Sequence, residues 1–223
     1  ESEIISNEKI EAGNLIVGLA SYGQCEWEDT YNSGIGSNGL SSARHDIFSK
    51  EIAAKYPESF DPVIEEYAYI GKYNLTDASP IDHVDMGKLV LSPTRTYLPL
   101  VKKIFDHMHS DINGMIHSTG GGQFKTVNYI KDLHVLKSDF LAVPPLFTTI
   151  MEDTGTKPEE MYRTFNMGHR LELYVKDMET ANTIISMAKD MGIDAAVIGQ
   201  CFPFNGRKVE LDTPYGKFEK IEN

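Results

Sequence analysis

Three consecutive glycines, Gly120, Gly121 and Gly122, follow directly on an apolar stretch that reads as a strand over residues 112–118, and helical character resumes from about 123 to 131. A strand that turns through glycine into a helix restricts the chain to layered folds in which helices cover a sheet. The same turn suits an anion. Without side chains, backbone N–H groups can approach a ligand closely at a helix start, where the dipole favours negative charge. Ser118 and Thr119 add hydroxyl donors, and His117, at the strand end, can donate to a phosphate or a carbonyl. An ordinary flexible turn has the same composition. No GK[ST] follows, so this is not a P-loop, and Lys125 falls inside the expected helix.

The rest of the chain fits that architecture. Residues 14–20, NLIVGLA, read as a buried strand leading into a long loop, SYGQCEWEDTYNSGIGSNG, and then into a helix over residues 40–55 for which Ser37 or Asn38 is the candidate cap. Pro57, Pro62 and Pro80 break residues 56–88 into turns, with a short strand expected near 67–70. Leu98, Val101, Ile104, Phe105 and Met108 repeat at helical spacing and predict a core-facing helix over 97–109. Short helices are expected at 146–153 and from Pro158. RLELYV, at 170–175, alternates as a half-buried strand would, and a helix is expected over 178–191. Strands near 195–199, 208–211 and 217–221 follow, the last two joined as a hairpin at 213–216. The pattern predicts an α/β (α+β mixed) layered domain with helices covering a mixed β-sheet, a single domain over 1–223 with residues 1–13 as a linker or edge segment.

Several local features can carry chemistry. In the loop Gly34–Gly39, Ser37, Asn38 and Gly39 resemble an anion-binding turn, with Arg44 one helical turn further on; a capped loop is the alternative. Thr94 and Arg95 stand at another helix entry, where Arg95 can pair with a phosphate or a carboxylate, or lie on the surface. Asn166, two residues before Gly168, can orient a ligand or cap the backbone. Asp82, His83 and Asp85 fit no tight ligand spacing, so no structural metal is predicted. No GxSxG elbow or cysteine signature identifies a nucleophile. The net charge of −12 argues against a nucleic-acid binder, but a pocket with a few donors can still take a phosphorylated small molecule. Cys25 and Cys201 read as reduced thiols. No apolar run has the length of a membrane span, the opening residues are polar, and a cytoplasmic protein is expected. The absence of an initial Met suggests a partial or processed chain with sequence upstream.

Taken in order, GLAS at 18–21, GSNG at 36–39, SPTR at 92–95, HSTGGG at 117–122 and FNMG at 165–168 resemble the successive motifs of the C-terminal domain of aminoimidazole ribonucleotide synthetases. The resemblance implies that family's layered domain, loosely related to the ferredoxin-like topology. It also implies its reaction, in which ATP activates the formyl oxygen of formylglycinamidine ribonucleotide and an internal nitrogen closes the imidazole ring. Substrate-binding positions would then be Ser37, Asn38, Gly39, Arg44, Thr94, Arg95, His117, Thr119, Gly120, Gly121, Gly122, Asn166 and Gly168, with no catalytic residue assigned. ATP and Mg2+ would serve the full-length enzyme, mainly through an N-terminal domain that also supplies the homodimer core and has no counterpart here. The fragment alone would need no cofactor and be inactive. Two features depart from the family: many relatives carry HSNG where this chain has GSNG, and the preceding loop holds an extra segment, CEWEDTYNSGI. His169, following NMG, is the mark of a divergent subgroup on this resemblance. A selenophosphate synthetase or thiamine-monophosphate kinase relative, which would lack the full motif order, and a non-catalytic nucleotide- or protein-binding domain are the alternatives.

Overall fold

The computed structural model describes residues 4–37 and 39–222. Its centre is one sheet of seven strands in the order β2-β4-β1-β5-β3-β6-β7. The strands are β1 (Leu15–Ala20), β2 (Ile112–His117), β3 (Leu133–Lys137), β4 (His169–Val175), β5 (Ala195–Pro203), β6 (Arg207–Thr213) and β7 (Gly216–Glu222). All neighbours run antiparallel except β3 and β6, which are parallel, so the sheet is mixed.

Helices cover both faces. On one, α4 (Leu98–Met108) and α7 (Met178–Asp190) set Leu100, Ile104, Ala181 and Ile184 against Val17, Leu19, Leu171 and Leu173. The other carries α1 (Leu40–Ile47), α2 (Lys50–Lys55), α3 (Met86–Val90), α5 (Pro145–Thr154), α6 (Pro158–Thr164) and a 3-10 helix over Gly122–Tyr129. Their Ile47, Leu89, Phe147 and Tyr162 pack with Ile16, Ile116, Val135 and Tyr174 of the sheet. This helix–sheet–helix sandwich explains why β1 reads as an unbroken apolar run: a strand covered on both sides has no solvent face. Before β1, Ile10 is buried against Gly114 of β2, Asn7 Nδ2 donates to the Tyr129 carbonyl and Gly13 N–H donates to the Cys201 carbonyl of β5.

The structure corrects several local expectations. The helix expected over 40–55 breaks at Phe48, which is extended and bridges Tyr73, while Ser49 N–H donates to the Tyr73 carbonyl. Ser37 is not its N-cap residue. Gly39 occupies the cap with φ 74°, and Asn38 lies outside the described residues. Residues 67–69 form turns, with Tyr69 at φ 54°, because the backbone N–H groups of Tyr67 and Ala68 donate to the Ile64 carbonyl and that of Ile70 to the His45 carbonyl, and not to a ladder. The segment after the triple glycine is a 3-10 helix, not an α-helix. Leu98, expected in the core, is exposed, because α4 turns Leu100 and Ile104 to the sheet. Most consequentially, β4 is not half-buried. All seven of its residues are buried, since it lies between β1 and β2 with helices on either side.

Candidate functional site

Antiparallel pairing gathers the motif loops. Ala20, at the end of β1, pairs with His169 at the start of β4, and His117, at the end of β2, pairs with Leu171. The loop leaving β1, the glycine loop leaving β2 and the FNMG turn entering β4 therefore emerge at one end of the sheet. Residues 92–95 are tied to them: Asn32 Nδ2 donates to the Pro93 carbonyl and Ser33 N–H to Ser92 Oγ, each at 3.0 Å.

Close approaches lock these loops together. A Cβ at Gly36 would lie 2.1 Å from Arg170 Nη1, and one at Gly39 would lie 2.3 Å from the Phe165 ring, so two glycines of the GSNG segment are the footing on which β4 and its entry turn rest. Ser37 N–H donates to Thr94 Oγ1 at 3.3 Å. Asn166 is buried and fully engaged. It donates to the Gly34 carbonyl at 2.8 Å and accepts from Ser21 Oγ at 2.7 Å and from Gly168 N–H at 3.1 Å. Its backbone-capping alternative is therefore the observed one. Arg95 is neither at the surface nor free: its side chain is buried, it makes a two-pronged ion pair with Glu28 and it donates to the Ala20 carbonyl. Burial opposes the Arg95 charge, but the Glu28 pair outweighs it and raises its basicity. Arg44 is not drawn into the loops by its ring contact, since its guanidinium lies 5.8 Å over Tyr69.

In the glycine loop, Gly120 and Gly121 are exposed, whereas Gly122 is buried against the backbone of Tyr162 and Phe165. Lys125 turns back to donate to Thr119 Oγ1. Thr94, Tyr97 and His117 border an open pocket of about 410 Å³ with Arg95, Thr96 and Leu171. Partial burial, then the nearby Arg170 and Lys125 cations, push the His117 imidazole down to about 4, which leaves it neutral near pH 7.

Beneath the loops lies a charged hub. Glu172 and Lys137, both fully buried, meet at 2.5 Å, and Glu172 also approaches His169 Nε2 at 3.2 Å and accepts from Thr126 and Tyr174. Burial alone would raise the Glu172 carboxyl, but the Lys137 ammonium and the His169 hydrogen bond hold it at about 2. Lys137 further donates to the Gln123 carbonyl, and Gln123 Nε2 donates to the Asn166 and His169 carbonyls. Through Gln123 the hub anchors both the triple-glycine segment and the FNMG turn.

Arg170, Glu172, Lys137 and Gln123 have no place among the residues singled out from sequence. The available signal is weak: an arginine and a glutamate at alternate strand positions read as a solvent face unless the strand is known to be central. Among the described residues no group of three or more His, Cys, Asp or Glu is arranged to hold a metal ion. Asp85 is instead the cap of α3. Both cysteines are free and buried, and burial with the nearby Glu172 pushes the Cys201 thiol up to about 12.

The class that the fold and these loops define is a layered α/β domain with hydroxyl-, imidazole- and glycine-bearing segments stacked on one end of a mixed sheet. More narrowly, the chain belongs to the family described as AIR synthase related protein, C-terminal domain, whose model matches residues 11–211. It is 32% identical over 217 residues to a phosphoribosylformylglycinamidine cyclo-ligase of Methanocaldococcus jannaschii, covering 94% of this chain and 51% of that protein. It is 33% identical over 225 residues to the enzyme of that name from Methanococcus vannielii, covering 99% and 51%. The chain thus spans about half the length of these relatives. Among solved structures it is similar to E. coli HypE, a hydrogenase maturation protein, with a TM-score of 0.49 and 15% identity over 99% of this chain and 52% of that one. T. maritima PurL complexed with FGAR gives a TM-score of 0.48 and 11% identity over 98% and 29%.

Proposed function

We propose that residues 1–223 form the single C-terminal domain of an ATP-dependent phosphoribosylformylglycinamidine cyclo-ligase, which closes the imidazole ring of aminoimidazole ribonucleotide in purine biosynthesis. The observation that carries this reading is the stacking of the GSNG, SPTR, HSTGGG and FNMG segments at one sheet end, in a chain whose family match spans residues 11–211.

On this reading the loops bind and orient formylglycinamidine ribonucleotide. Ser37, Asn38, Thr94, His117, Thr119, Gly120 and Gly121 offer donors to its phosphate or ribose, while Gly39, Gly122, Gly168, Asn166 and Arg95 fix the loops from beneath. ATP supplies the phosphoryl group that makes the formyl oxygen a leaving group. Positioning of the internal nitrogen against that carbon and electrostatic stabilisation are then the main demands on the protein, and both are met by preorganised donors. A neutral His117 can donate one ring N–H to substrate without repelling a neighbouring cation. We assign ATP and Mg2+ chiefly to the half of the enzyme outside this chain, and infer a homodimer working in the cytoplasm.

The test is an assay of the full-length parent with formylglycinamidine ribonucleotide, ATP and magnesium, with Gly121→Val and Asn38→Ala alongside. ADP, phosphate and aminoimidazole ribonucleotide should appear together, and both variants should lower kcat/KM. Normal turnover in both removes the site assignment. A folded parent that forms no product removes the function.

A further inference from the structure

We propose that Gln123 is a positioning residue: its buried side-chain amide clamps the Met167–Gly168 turn to the triple-glycine segment, and Lys137 fixes which way that amide points. The inference rests on the functional reading above and deepens it, naming what sets the spacing of two candidate loops and a residue outside the motif segments.

The FNMG turn adopts a costly backbone. Met167 has φ 51° and Gly168 φ 119°, so two successive residues are left-handed and the first of them carries a Cβ. The turn's own closing bond, from His169 N–H to the Asn166 carbonyl, is long at 3.4 Å. Gln123 reinforces it from outside. Its Nε2 donates to the Asn166 carbonyl and, at 3.0 Å, to the His169 carbonyl, so one amide staples the backbone on both sides of the left-handed pair. Gln123 also follows directly on Gly122, which has φ 53° and lies so close to the 162–165 backbone that a Cβ would stand 2.2 Å from the Tyr162 carbonyl oxygen and 2.8 Å from that of Phe165. A displacement of the glycine segment therefore carries the amide with it and releases the turn.

The direction of the amide is set from below. With Nε2 turned to the two carbonyls, Oε1 accepts from Lys137 Nζ at 3.2 Å. A reversed amide would place its oxygen against two carbonyl oxygens and its hydrogens against an ammonium, which accepts nothing. Lys137 is held in turn: its Nζ donates to the Gln123 carbonyl at 2.8 Å and to Thr126 Oγ1 at 3.1 Å, and meets Glu172 at 2.5 Å. Gln123, Thr126, Lys137 and Glu172 are all fully buried, so solvent does not replace a lost partner. The ion pair thus orders an amide, and the amide orders two loops. One of them exposes Gly120 and Gly121, and the other holds Ser21 and the Gly34 carbonyl through Asn166.

NMR on this chain tests the clamp without turnover. The two Gln123 side-chain amide protons should exchange with solvent roughly a hundredfold or more slowly than those of exposed Gln24. Lys137→Met combined with Glu172→Leu removes the charges but keeps the interior filled. In that variant the Gln123 protons should lose their protection and the Gly121 and Gly168 backbone signals should move, whereas a merely structural pair would alter stability alone. Gln123→Met should move the same two backbone signals, and in the full-length parent it should lower kcat by about tenfold or more while KM for ATP is unchanged. Freely exchanging Gln123 protons in wild type, or unmoved Gly121 and Gly168 signals in folded Gln123→Met, would overturn the clamp. Protection that survives in the charge-pair variant would overturn the part given to Lys137. If Gln123→Met does not fold, the wild-type protons and the charge-pair variant still decide. Wild-type kcat in Gln123→Met removes the positioning role and keeps the function, while a wild-type parent that forms no product removes the function and leaves the clamp to the NMR signals.

Discussion

Lys137 Nζ lies 2.5 Å from Glu172 Oε1 although β1 and β5 separate the two strands that carry them, and neither residue touches solvent. The pair joins the two halves of the sheet under the candidate site and fixes Gln123 and His169 around itself. Burying an ion pair costs desolvation, so its value is greatest in what happens when one partner is removed.

Lys137→Met should therefore destabilise the chain by about 3–5 kcal/mol, while Lys137→Met combined with Glu172→Leu should recover much of that loss. Denaturant melts of the two single variants and the double variant measure it. The Glu172 carboxyl, held at about 2 against an ordinary 4.5, gives an acid signature. A depressed carboxyl stabilises fully above its unfolded value and loses that contribution as pH falls toward the folded one. Wild-type stability should decline between about 4.5 and 2, and this component of the slope should be missing in the double variant.

Glu28 belongs to the loop that leaves β1, and its ion pair with buried Arg95 ties that loop to the entry of α4. Glu28→Gln should leave the guanidinium buried without its counter-charge and cost about 3 kcal/mol. Hydrogen exchange should show residues 21–39 losing protection more than α7 does. Equal loss across the chain would mean that the pair does not act on the loop specifically.

Gly39 combines a left-handed backbone with a Phe165 ring 2.3 Å from where a Cβ would stand. Gly39→Ala should lower stability by about 1–2 kcal/mol for the backbone alone, with the ring clash added. Phe165→Leu in the same chain should return part of the second contribution and none of the first. Thermal midpoints of the four chains separate the two effects.

His117 should titrate well below an ordinary histidine, with an NMR midpoint near 4. For a base whose folded value is depressed, the unfolded chain binds more protons between about 4 and 6.5, so stability rises with pH across that window and is lost as pH falls through it. His117→Gln should flatten this part of the profile, and Lys125→Met should move the midpoint upward.

How much of this was legible beforehand follows from the range over which each feature is determined. Apolar runs and helical spacing identified β1, β2, α4 and α7, because one-sided burial leaves a periodic trace in a helix and burial on both faces leaves an unbroken apolar run in a strand such as β1. Hairpin β6–β7 was equally local. The ordered motif segments likewise identified the family, since each is a short string of residues. What the pattern could not supply is the burial of Arg170 and Glu172, which alternate with leucines as a solvent face would. Their partners lie far away, Thr94 at 76 residues and Lys137 at 35, and only the central position of β4, between β1 and β2 and under two helical layers, turns those side chains inward. Local sequence thus determined most of the elements and the composition of the loops, whereas tertiary structure decided which side chains are buried and which buried cations meet a carboxylate. The physical reason is that charge compensation in a protein interior depends on distance through space, which strand order sets and sequence spacing does not.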